Sequence, residues 1–152
     1  MRLECVEAFA DASVKVLVAM LGDQFGAGPP RLACSEERGS GVIVHVRFSG
    51  EAEGHVALEI DSLTALRLYA VATGQLHDRL PPLGLDYFLE LGNVISGAAV
   101  SRLNELGFDV VVHPPELLDA AAGDDPAEAE ACLIPVYSPH GGILVQVVLC
   151  TG

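Results

Sequence analysis

The chain has 152 residues, 51% of them hydrophobic, with a formal net charge of -13 and a single lysine, Lys15, a balance that repels phosphate backbones and anionic lipid and so excludes nucleic acid and membrane surfaces as partners. The length allows one domain spanning 1–152, with a core built from Val, Leu, Ile and Ala, and leaves no room for two. No apolar run reaches the ~18 residues of a membrane helix, and "MRLECVEAFADASVKV" sets acids where a signal sequence would be apolar, so a soluble, cytoplasmic protein is expected.

The first element in chain order is an amphipathic helix over roughly residues 5 to 21, stopped by Gly22 and followed by Pro29 and Pro30. Two strand-like runs, "GVIVHVRF" and "GHVALEI", then flank the polar turn "SGEAEG", and their β-branched content suits a hairpin. "DSLTALRLYAVATG" reads as a connecting helix, with Asp61 or Ser62 as N-cap and Gly74 as C-terminal stop. Pro81 and Pro82 break the chain before a long helix over 84–108. Gly107, Pro114 and Pro115 follow, and then a second hairpin, "ACLIPVY" and "GGILVQVVLC" around "SPHG". The acidic, Ala-rich stretch 116–131 reads as a solvated loop with a short helical turn.

A shift of 85 residues superposes Gly22 on Gly107, Pro29 on Pro114 and Pro30 on Pro115. Helix plus hairpin therefore occurs twice. Neighbouring strands should pair antiparallel, giving an α+β fold with pseudo-two-fold symmetry.

The long helix carries a polar row on an otherwise apolar element. At ~100° per residue, Glu90 lies about 40° and Asn93 about 20° either side of Asp86. Phe88, Leu91, Ile95, Ala98, Ala99 and Leu106 gather on the opposite side, which is assigned to the core. The 85-residue shift sets Cys5 opposite Glu90 and Ala8 opposite Asn93, so the stripe exists in one half only; a feature needed for folding would be needed twice. Gly92 and Gly97 each weaken the helix by up to ~1 kcal/mol relative to Ala. Helix-on-helix packing is expected at Gly92 and approach of a partner at Gly97, which lies on the stripe.

Cys5, Cys34, Cys132 and Cys150 form no CxxC pair and read as buried, reduced thiols. His45, His55, His77, His113 and His140 lack metal-ligand spacing, so they read as ordinary surface or half-buried histidines and no metal is expected.

The spacing Asp86, three residues, Glu90, two residues, Asn93, then 21 residues to Pro115 resembles the signature of the CheC, CheX and FliY chemotaxis phosphatases: Asp or Ser, x3, Glu, x2, Asn, about x21, Pro. Gly97, four residues after the Asn, also resembles the family's helix, as does the duplicated layout. CheC-type members carry the motif in both halves and CheX-type members in the second only, so the chain is nearest the CheX type; FliY's extra switch domain has no room here. Two positions depart from the pattern: Ala98 stands where the family often has Asn, and "PELLDAAAGDD" is more acidic and less strand-like than the family's segment after the Pro.

The resemblance implies a CheC-like fold and a phosphatase acting on a phosphorylated CheY-like response regulator, with Asn93 positioning the attacking water and Glu90 docking to the regulator's lysine. Asp86 would be a contact at the rim, and Pro115 would shape the neighbouring loop. No cofactor of its own is implied; Mg2+ is supplied by the regulator. CheX-type relatives pair through sheet edges, so a homodimer is expected as well. The alternative is a receiver-binding or flagellar interaction module without turnover.

Overall fold

The structure is a computed structural model that describes residues 3–22, 24–33, 41–118 and 130–149. It has three helices, α1 (Leu3–Leu21), α2 (Ser62–Thr73) and α3 (Pro82–Glu105), and eight strands: β1 (Gly26–Ala27), β2 (Arg31–Ala33), β3 (Val42–Gly50), β4 (Gly54–Ile60), β5 (Val110–Val112), β6 (Glu116–Leu118), β7 (Glu130–Ser138) and β8 (Gly141–Leu149). All strand pairs are antiparallel, which gives the α+β architecture expected from the sequence.

The two hairpins, β3–β4 and β7–β8, meet along β4 and β8, and the pair Ala57↔Gln146 sits at the middle of that seam. A pseudo-two-fold axis passes there. The halves are interlocked: the short strands after α1 pair with β7 of the second half, and those after α3 pair with β3 of the first. Under the 85-residue shift β2 falls on β6, and Gly26–Ala27 fall on Val111–Val112. Each Pro-Pro pair thus separates two short edge strands that the sequence reading left as connections. The outer strands of the hairpins are thereby covered, and the sheet edges left open are only two or three residues long.

Alternation along the strands sends Val42, Val44, Val46 and Phe48 of β3, Val56, Leu58 and Ile60 of β4, and Val145 and Val147 of β8 into one core with α1 and α3. A smaller cluster, Ala131, Leu133 and Val148, lies on the other side of the sheet. Helix α2 has the cap expected of it: Asp61 accepts from the Thr64 backbone N–H at 2.8 Å and from the Thr64 hydroxyl at 2.8 Å, and Gly74 closes the helix at φ 75°. It touches α1 and has no counterpart after β8 among the described residues.

Three expectations require correction. Residues 116–118 of the presumed acidic loop form strand β6 against β3, and Glu130 and Ala131 open β7; backbone pairing decides this whatever the side-chain charge, and 119–129 lie outside the described residues. Ala98 is exposed and Leu106 is 46% exposed, because Leu106 is the C-cap of α3, beyond the last full turn, and Leu103 is the buried residue there. Long helix α3 begins two residues early, since Pro82 occupies the first helical turn, where a missing N–H leaves no bond unmade. Cys5 and Cys132 are buried and in no disulfide among the described residues, and burial pushes the Cys132 thiol up; Cys34 and Cys150 lie outside the described residues. No described helix is long and apolar enough to cross a membrane.

Candidate functional site

Helix α3 lies over β3, and its buried row, Phe88, Leu91, Gly92, Ile95, Ser96, Ala99, Val100 and Leu103, fixes its rotation about its own axis. At Gly92 a Cβ would lie 2.5 Å from Val44 Cγ1, so the missing side chain lets the helix settle on the strand. The close packing anticipated at this glycine is helix on sheet, not helix on helix. Burying this row turns Asp86, Glu90 and Asn93 to solvent, all three exposed. None makes a side-chain hydrogen bond or ion pair with a described residue. Spanning two turns, the row is about 10 Å long at 1.5 Å per residue, a rigid polar edge whose spacing is set by backbone hydrogen bonds. Gly97 continues it, half-buried, with nothing within 4 Å of where a Cβ would stand.

Leu83, 71% exposed, and Val94, 37% exposed, flank the row about 60–80° to one side. Sequence reasoning missed them, although the same wheel that displayed the stripe places them beside it. Tyr87 anchors the N-terminal part of α3: its ring lies edge-on to Phe88 and Tyr69, its hydroxyl is buried with no partner among the described residues, and burial pushes the phenol up, so it stays neutral. Pro115 is half-buried between β5 and β6, next to β3 in the sheet, and makes no part of the helix row.

The burial patterns of the two long helices change the pairing of the halves. Cys5 matches Phe88, Ala8 matches Leu91, Ala12 matches Ile95, Ser13 matches Ser96, Val16 matches Ala99 and Leu17 matches Val100, every one of them buried, an offset of 83 and not 85. Cys5 and Ala8 are therefore core residues and not the counterparts of Glu90 and Asn93. Those counterparts are Glu7, exposed, and Ala10, half-buried, with exposed Leu3 in place of Asp86. The first half keeps the glutamate and lacks the amide. Two residues enter between the helix and its closing glycine in the second copy, which is why the glycines and prolines align at one offset and the helices at another.

Among the described residues no group of three His, Cys, Asp or Glu side chains could hold a metal ion. His45 and His55 stack with ring centroids 4.3 Å apart, and His45 Nδ1 lies 3.3 Å from Glu116 Oε1.

Helices laid on one face of a duplicated antiparallel sheet make a CheC-like fold, as solved structures show. CheX from Vibrio vulnificus superposes with a TM-score of 0.84 at 22% identity, over 97% of this chain and 99% of that one. The CheX chain of the CheX–CheY–BeF3–Mg2+ complex from Borrelia burgdorferi gives a TM-score of 0.80 at 25% identity, over 99% of this chain and 100% of that one. In sequence, the chain is 25% identical over 114 residues to the CheY-P phosphatase CheX of Thermotoga maritima, 74% of each protein. Residues 42–136 match the family described as chemotaxis phosphatase CheX, and the chain belongs to that family of phosphatases.

Proposed function

We propose that this chain hydrolyses the aspartyl phosphate of a phosphorylated CheY-like response regulator, acting as one domain through the Glu90–Asn93 face of α3. The observation that carries the reading is the exposed row, without partners among the described residues, on a helix whose rotation is locked by the sheet. Its relative from Thermotoga maritima is a CheY-P phosphatase, and a similar chain is found complexed with CheY, BeF3 and Mg2+.

An acyl phosphate is already activated, and its hydrolysis depends on a water held in line with the leaving oxygen. The Asn93 carbonyl accepts from that water and its amino group donates, without setting an anion beside the phosphate. The water oxygen attacks phosphorus, the bond from phosphorus to the aspartyl oxygen breaks, and the regulator's carboxylate leaves with inorganic phosphate as the other product. Glu90, one turn earlier, pairs with the lysine beside the phosphorylated aspartate and sets how deeply Asn93 enters. Asp86 meets the rim of the regulator, Gly97 leaves room for its backbone, and Pro115 shapes the β5–β6 connection. Mg2+ belongs to the regulator's own site.

Exposed Leu32 and Val111 on the outermost strands, 72% and 56% accessible, support a homodimer joined through a sheet edge. Light scattering giving a monomer at high micromolar concentration would remove that part of the reading. The main test mixes the protein with a phosphorylated regulator and follows loss of phosphate from the receiver. Accelerated loss is expected; binding to a stable phosphoryl mimic with no acceleration would make the chain a receiver-docking module instead.

A further inference from the structure

On the sheet face turned away from the helices, at the turn end of the β3–β4 hairpin, lies a cleft of about 530 Å³ lined by Arg47, Ser49, Glu53, His55 and His113, with Phe48 and Gly54. A second cleft, of about 420 Å³, lies at the matching end of β7–β8 and is lined by Pro135, Tyr137 and Leu144, with Glu59 and Asp61. The pseudo-two-fold relates them residue by residue. Arg47 faces His55 across its hairpin as Pro135 faces Leu144, and Ser49 faces Val111 of β5 as Tyr137 faces Gly26 of β1. The His113 N–H donates to the Arg47 carbonyl at 2.8 Å, and the Gly28 N–H donates to the Pro135 carbonyl at 2.8 Å. The fold thus builds the cleft twice, and topology accounts for its existence. Topology does not account for its lining: where one copy has Arg47, Ser49, His55 and His113, the other has Pro135, Tyr137, Leu144 and Gly28.

Cations are scarce in this chain, with eight Lys and Arg against 21 Asp and Glu. Arg47 nevertheless stands exposed in the cleft, with no ion pair to a described residue. His113 is held by a 2.8 Å contact between its Nε2 and Ser49 Oγ. His55 is backed by the His45 ring, whose Nδ1 lies 3.3 Å from Glu116 Oε1. Glu53 is the one acid in the lining.

We propose that this cleft binds a phosphate-type oxyanion, free or carried by a small phosphorylated metabolite. An arginine fork, the His55 imidazole and the one donor left over by the Ser49–His113 hydrogen bond approach from several directions, which suits a tetrahedral group with three or more acceptor oxygens better than a planar carboxylate. The overall field of the protein repels anions, so retention depends on these directed donors.

The test titrates the full chain with inorganic phosphate and, in a parallel arm, with ribose 5-phosphate, following backbone amide and histidine ring resonances by NMR with calorimetry alongside. One saturable site is expected, with shifts at Ser49, His55 and His113 and none at Tyr137 or Leu144. Arg47→Gln should weaken binding about tenfold or more while leaving the thermal midpoint unchanged. Tighter binding of the organophosphate assigns the site to a metabolite, and tighter binding of phosphate assigns it to the free ion. No saturation by either at tens of millimolar, equal shifts around Tyr137, or wild-type affinity in Arg47→Gln would overturn the proposal. The outcome is independent of turnover at Asn93.

Discussion

Helices α1 and α3 bury matching faces against one sheet, down to the buried serine each carries, yet they differ in what they show to solvent. Ser13 donates to the Phe9 carbonyl at 2.6 Å, whereas the Ser96 hydroxyl is buried with no partner among the described residues. Where α3 presents Asp86, Glu90 and Asn93, α1 presents Leu3, Glu7 and Ala10. Packing preserved the inner faces of both copies, while nothing in the fold required the outer faces to agree. The two sheet clefts repeat the lesson on the opposite side of the molecule. In a duplicated fold, what both halves share is what the core needs, and what one half has alone is not required by the core.

The contrast breaks most sharply at the amide. Asn93→Ala should lower turnover by about 10²-fold, roughly 2.7 kcal/mol of transition-state stabilisation, while binding to a phosphoryl-mimic regulator persists. Phosphate release at saturating regulator measures the first and direct titration the second; full turnover in this variant would remove the water-positioning role. Adding Ala10→Asn to that variant should not bring the rate back, because Leu3 and the surroundings of α1 lack the fit to a receiver that a preorganised site needs.

The two glutamates sharpen the same contrast. Glu90→Ala should lose about 2 kcal/mol of affinity along with turnover, since it strands the regulator's lysine. Glu7→Ala, its counterpart on α1, should leave both unchanged in the same assays.

Gly92 and Gly97 lie on the inner and outer sides of α3. Gly92→Ala must displace Val44 and should destabilise by about 1–3 kcal/mol in urea unfolding. Gly97→Ala meets nothing in the free protein and should stabilise by about 0.5–1 kcal/mol, yet slow phosphate release if the regulator's backbone comes close there.

Helix α2, which has no counterpart among the described residues, gives an effect of similar small size. The Thr64 backbone N–H, with the Thr64 hydroxyl, holds the Asp61 carboxyl below its usual range despite some desolvation. A carboxyl lowered by folding contributes stability that is complete above its unfolded pKa of about 3.9 and is lost as pH falls through the lower folded value. Asp61→Ala should therefore cost about 1 kcal/mol near neutrality, and its urea midpoint should converge on that of the wild type in strong acid.

Much was legible in the chain itself. Periodicity marked the three helices, β-branched runs marked the two hairpins, and Asp61 and Gly74 bounded α2 by cap chemistry. The stripe on α3 was readable because i, i+4 and i+7 share a helix face whatever the helix packs against. Local rules did not reach further. Strands β1, β2, β5 and β6 are two or three residues long and exist only because the opposite half offers an unpaired edge, a contact no local pattern encodes. Glycine and proline landmarks in loops were matched at one offset, but the pairing of the helices depends on which sides are buried, and burial is a property of the assembled core. The cationic cleft was hidden for the same reason: Arg47, His55 and His113 are scattered in sequence and are brought to one place by strand register, which only the tertiary structure decides.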